Sequence, residues 1–108
     1  MKREEILQQA IEIYGVTAQE DVCIEKMSEL TKAIIKNRRN EDMAASGRID
    51  NILEEIADVQ IMLDEMRLIY GSTEEQDAFK VNRLQKRIAK EKEKRKINYA
   101  KIAEYLRK

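Results

Sequence analysis

The sequence predicts an all-α protein, a four-helix-type bundle with a charged C-terminal helical extension. Three observations carry this reading. Proline, which breaks helix interiors, is absent from all 108 residues, and only three glycines occur. Apolar residues recur at helical spacing in the two central segments. Helix-boundary residues then divide the chain at regular points. With 43% hydrophobic and 39% charged residues the chain can build a modest core, and it is too apolar for a disordered tail.

The first predicted helix covers residues 3–14 and stops at Gly15, a residue suited to the backbone conformation after a helix end. "TAQE" opens the second, with Thr17 and Glu20 placed for a capping box, and this helix runs to about Asn37. The polar, small-residue run "RRNEDMAASG" reads as a loop. "RIDNILEEIADVQIMLDEMRLIY" is the third and longest helix, reaching Gly71. "STEE", with Ser72 and Glu75, repeats the capping-box pattern and starts a fourth helix through "QDAFKVNRLQKRI". The remainder alternates charge densely before apolar residues return at Ile97, Ala100, Ile102, Tyr105 and Leu106. One domain, residues 1–108, follows from the length, with 89–108 as a charged helix or arm. Helices two and three are expected to pack antiparallel at its centre.

Composition removes several function classes. The 21 basic and 21 acidic residues cancel, which argues against a protein that grips nucleic acid by bulk charge. The run "KEKEKRK" at 90–96 could contact nucleic acid, but a solvated helix surface with neighbouring opposite charges is the commoner explanation. One cysteine and no histidine exclude disulfide frameworks and Cys/His metal clusters, and leave oxygen-ligand chemistry open. "MKREEILQQAIEIYG" carries Glu4, Glu5 and Glu12 among its apolar residues, so it is neither a secretory signal nor a membrane span. A cytoplasmic location is expected by default. A chain this small buries a limited fraction of its surface, so self-association as a homodimer or homotetramer is expected as well.

Helix two sorts into an apolar side, with Cys23, Met27, Leu30 and Ile34, and a charged edge with Glu25, Glu29, Lys32 and Lys36. Taken alone, that edge is an ordinary solvated face. Helix three differs, because its apolar residues spread around most of its circumference and mark it as the buried centre. Glu55 falls between Val59, Met62 and Met66, and Asp58 lies beside Met62 and Ile69. A carboxylate in apolar surroundings needs a partner. A Lys or Arg from another helix is the structural answer, and a divalent cation is the functional one. Mg²⁺ takes oxygen ligands, retains waters and commonly bridges carboxylates to substrate phosphates. Lys32 and Lys36, beyond Glu29 on the same edge, would meet a polyphosphate as point charges.

The pair "EKMSEL" (24 residues into the chain, Glu25 to Leu30) and "EEIADV" (Glu54 to Val59) resembles the signature of the MazG-like all-alpha nucleoside triphosphate pyrophosphohydrolases. The match covers roughly residues 18–88, and its second half, "NILEEIADVQIML", is the more specific. The resemblance implies Mg²⁺, or Mn²⁺ in its place, held by Glu29, Glu55 and Asp58 with Glu25 as a fourth ligand. It also implies cleavage of an NTP or dNTP to the monophosphate and pyrophosphate. The family has an acid where this chain has Lys26. Lys26 paired with Glu55 or Asp58 is therefore the alternative expectation. Under it the chain is a catalytically degenerate member of the fold, used for self-association or for binding a macromolecule.

Overall fold

The computed structural model describes residues 1–39 and 45–107. It is all-α, with the order α1 (Arg3–Tyr14), α2 (Val16–Arg39), α3 (Ala45–Tyr70) and α4 (Glu74–Arg107). Two compact units divide at Ser72/Thr73. The first holds α1 to α3, and the second is α4.

Helix α1 starts with Glu4 and Glu5 in its first turn, where carboxylates complement the positive end of the helix dipole, and buries Leu7 and Ile11. It ends at Gly15, whose backbone (φ 93°, ψ 156°) lies in a region essentially restricted to glycine and whose N–H donates to the Ile11 carbonyl at 2.8 Å. The Gly15 carbonyl then accepts from the N–H of Gln19 at 3.1 Å, so one residue closes α1 and opens α2. Thr17 consequently sits inside the first turn of α2, not at the cap position predicted from "TAQE". Lys36, Arg38 and Arg39 fill the last turn, complementing its negative dipole end.

The predicted loop at 38–47 is shorter at both ends. Arg38 and Arg39 belong to α2, Ala45 to Gly47 belong to α3, and only 40–44 of that run lie outside the described residues. Helix α3 stops at Gly71 (φ 124°), whose N–H donates to the Arg67 carbonyl at 2.8 Å. The Thr73 carbonyl accepts the Asp77 N–H at 2.8 Å, which makes Thr73 the first capping residue of α4, one place after the predicted Ser72. From there α4 continues without a break to Arg107, so 89–107 extends the fourth helix. All its described residues are exposed.

In the first unit, α2 and α3 form the principal contact, with α1 packed against both. Three interactions fix the direction of the pair. Near the end of α2, Asn37 accepts from Arg48 Nε at 3.3 Å; midway, Lys26 reaches Asp58 at 4.0 Å; near its start, Glu20 accepts from the Tyr70 hydroxyl. As α2 advances α3 recedes, and the helices are antiparallel. Arg3 Nη2 meets Asp64 Oδ2 at 2.7 Å and joins α1 to α3. Arg67 at 3.0 Å and Gln60 at 3.2 Å hold the other oxygen of Asp64, and its carboxyl is pushed below the usual range chiefly by the Arg3 hydrogen bond.

The protected side of α2 is rotated from the predicted one. Gln19, Cys23 and Ala33 are buried and Lys26, Leu30 and Asn37 half-buried, a seam that steps by four and three. Met27 and Ile34, assigned to the apolar side from the sequence, are 42% and 40% exposed. On α3 the corresponding seam is Arg48, Asn51, Glu55, Asp58, Met62, Glu65 and Ile69, all half-buried or buried. Helix α3 is also less enclosed than predicted, with Leu53 and Ile56 58% and 47% exposed. The reason is geometric: two neighbours, α1 and α2, cover part of a helix circumference, whereas the apolar residues of α3 surround it.

Gly15→Ala should destabilise the first unit by about 1–3 kcal/mol, because a Cβ forces the backbone out of a glycine-only conformation. Urea denaturation should show a lower midpoint at unchanged slope. An unchanged midpoint would mean that this conformation is not required.

Candidate functional site

Both seams carry charge into the α2/α3 contact, and their central section gathers the acids singled out from the sequence. One carboxylate oxygen from each of Glu29, Glu55 and Asp58 lies within 4.8 Å of the other two. All three residues are half-buried. Glu55 and Asp58, three apart on α3, present to the same side, and Glu29 reaches them from the edge of the α2 seam.

Helical geometry decides which neighbour accompanies Glu29. Lys26 occupies a seam position on α2, between Cys23 and Leu30, and is half-buried, while Glu25 lies one residue off the seam and is exposed. Lys26 Nζ is 3.3 Å from Glu29 Oε2 and 4.0 Å from Asp58 Oδ2, bridging the two helices. Glu25 is not among the converging carboxylates. Lys32 and Lys36 are exposed along the outer edge of α2, on the same side as Glu29.

The electrostatics follow from this crowding. The hydrogen bond and charge of Glu29, with Asp58 and Glu25 adding to them, hold the Lys26 ammonium above its ordinary pKa. Burial pushes the Glu55 carboxyl up, and the neighbouring Glu29 and Asp58 charges push it further, with Lys26 opposing. Oε2 of Glu55 is buried without a hydrogen-bond partner among the described residues. Glu29 and Asp58 thus share one ammonium, while Glu55 beside them retains a buried oxygen without a hydrogen-bond partner among the described residues. The donor set is all oxygen, which suits a hard cation.

A second acid lies further along the same seam and escaped the sequence reading. Glu65 is 2% exposed, beside Cys23 and Gln19 at 4% and 7%. With its nitrogen turned toward Glu65, the Gln19 amide donates to Oε1 at 2.7 Å and Oε2 at 3.2 Å. Burial raises the Glu65 carboxyl, and both burial and the Glu65 charge raise the Cys23 thiol. The spacing 55, 58, 62, 65 was the available signal, since it places Glu65 on the line that carries Glu55 and Asp58.

Comparison of the chain with protein-family profiles, with curated proteins and with solved structures yields no match. No helix among the described residues is long and apolar enough to cross a membrane.

Glu65 has a definite pH signature. Its folded pKa is raised above the unfolded value near 4.5, so folding favours the protonated acid. This contribution is fully present below pH 4.5 and is lost as the pH rises through the folded value. Glu65→Gln keeps the size and removes the charge. Its loss of stability between about pH 4 and about pH 7 should be smaller than that of the parent in urea denaturation. Identical pH profiles would show that Glu65 is not the group responsible.

Proposed function

We propose that the chain is a Mg²⁺-dependent nucleoside triphosphate pyrophosphohydrolase that converts an NTP or dNTP to its monophosphate and pyrophosphate in nucleotide-pool housekeeping. The observation that supports this reading is the convergence of Glu29, Glu55 and Asp58 within 4.8 Å across two antiparallel helices. The resemblance of "EKMSEL" and "EEIADV" to the MazG-like signature supplies the reaction. Glu55 fits a ligand's role best, since its buried Oε2 has no hydrogen-bond partner among the described residues. A bound Mg²⁺, with Mn²⁺ as a substitute, would neutralise phosphate charge and activate a water for in-line attack. Lys32 and Lys36 are exposed for contact with the polyphosphate, and Glu25 is left at the rim. Self-association as a homodimer or homotetramer, which the exposed Leu53 and Ile56 favour, and a cytoplasmic setting belong to the same reading.

A second reading has an observation of its own. Lys26 bridges Glu29 and Asp58 at 3.3 and 4.0 Å, the position of a built-in cation. In that reading the seam is a structural salt bridge, and the chain is a catalytically degenerate helical protein that binds itself or another macromolecule.

A panel of NTPs and dNTPs with Mg²⁺, scored for pyrophosphate and monophosphate release, separates the two. The parent should turn over at least one nucleotide, and Glu55→Ala should reduce that rate by about 100-fold or more, beyond the loss caused by changing a residue one shell away from a metal. Lys26→Glu should tighten the Mg²⁺ requirement to lower concentration. A silent parent revived by Lys26→Glu establishes the degenerate reading. Parent activity indifferent to Glu55→Ala refutes the assigned ligands.

A further inference from the structure

The neutrality of the chain conceals a division of charge. Residues 1–72 hold nine basic and fifteen acidic side chains, whereas residues 73–108 hold twelve basic and six acidic ones. Within α4 the signs are divided again, this time around the helix. Lys80, Arg83, Arg87, Lys90, Lys94 and Lys101 recur at steps of three, four and seven residues and form one ridge. Glu93 and Glu104 fall outside it, and Glu91 lies at its edge, engaged there by Arg95. All six cations are exposed, and none has a carboxylate partner among the described residues. The α4 ion pair of Arg95 with Glu91, at 3.2 Å, lies beside the ridge. Arg83 rests over the Phe79 ring at 5.8 Å, which steadies it without neutralising it.

We propose that this ridge of α4 binds the phosphate backbone of double-stranded nucleic acid. From Lys80 to Lys101 it extends about 32 Å at the helical rise, close to the length of nine base pairs in B-form DNA. Six exposed cations along one line, none in an ion pair among the described residues, offer a duplex phosphate contacts, and nothing on the ridge is shaped to read base edges. Single strands are a poorer fit, because they need aromatic side chains in succession along the ridge, whereas Tyr99 is on the other side of the helix and Phe79 and Tyr105 stand beyond its two ends. An anionic lipid surface is also a poorer fit. The apolar stripe beside the ridge, Val81, Leu84 and Ile88, is broken by Glu91, Arg95 and Asn98 before Ile102. A second α4 would present the same positive ridge and be repelled. The proposal is independent of nucleotide hydrolysis, since it draws on no residue of the α2/α3 seam.

The test uses the full chain and a fluorescent duplex of arbitrary sequence, as DNA and as RNA, titrated across salt. Matched single strands and phosphatidylserine vesicles run in parallel. Binding to either duplex should weaken about 10³-fold between 50 and 200 mM salt, a log–log slope of about −5 for six phosphates. Arg87→Ala, Lys90→Ala and Lys94→Ala together should bring the slope to about −3, and Arg95→Ala should leave it unchanged. Alanine preserves helicity, which circular dichroism checks directly. The proposal is overturned if duplex binding is absent or if the triple variant keeps the parental slope. Preference for single strands or vesicles, or an effect of the ridge substitutions confined to oligomeric state, overturns it too.

Discussion

The antiparallel α2/α3 seam is the constraint on which the first unit depends, and it is polar to an unusual degree. Three carboxylates from α3, those of Glu55, Asp58 and Glu65, project into the contact, and Glu29 adds a fourth from α2. A carboxylate withdrawn from water must be paired, hydrogen-bonded or protonated. The seam uses all three means: Lys26 pairs with Glu29 and Asp58, Gln19 donates to Glu65, and Glu55 is shifted toward its protonated form. Register follows from these assignments, because sliding one helix by a turn would strand every one of them. Apolar packing alone would specify it less sharply, with Leu7, Ile11, Cys23, Ala33 and Met62 the buried apolar residues among those described.

The same seam explains why one lysine outranks an adjacent glutamate. Neighbouring residues on a helix are about 100° apart, so Lys26 and Glu25 cannot both face α3. The small side chain of Ala33 and the buried Cys23 fix the side of α2 that approaches, and Lys26 lies on the line between them. Glu25 is thereby directed to solvent, from where it adds only to the field that holds Lys26 charged. Lys26 is half-buried in the seam, and its ammonium reaches Glu29 and Asp58.

Much of the fold was legible because helix ends are governed by local chemistry. Gly15 and Gly71 mark two boundaries through backbone conformations that side chains rarely adopt, and both stand where the sequence places them. The starts of α2 and α4 differ from the capping-box reading by two residues and by one, since the carbonyls that open these helices belong to Gly15 rather than Thr17 and to Thr73 rather than Ser72. The convergence of Glu29 with Glu55 and Asp58 was legible from spacing on two helices expected to be antiparallel. The rotation of α2 was not. Apolar periodicity favoured Met27 and Ile34, but the actual contact accepts Gln19, Lys26 and Asn37 because the facing helix presents acids and Arg48. Hydrophobic pattern locates a seam only when the seam is hydrophobic, and this one is complementary in charge instead. Glu65 was missed for the same reason.

Three carboxylates and one ammonium leave a formal charge of minus two at the centre of the seam when all are ionised. That deficit can be met by a proton on Glu55, by tighter engagement of Lys26, or by a divalent ion, and these solutions compete. A proton removes one charge and leaves Lys26 in place, which suits a structural seam. A divalent ion would need Glu55 deprotonated, so its affinity would fall as acidity rises. It would also meet Lys26 as a rival for Glu29 and Asp58, at a separation where like charges repel strongly in a partly desolvated setting.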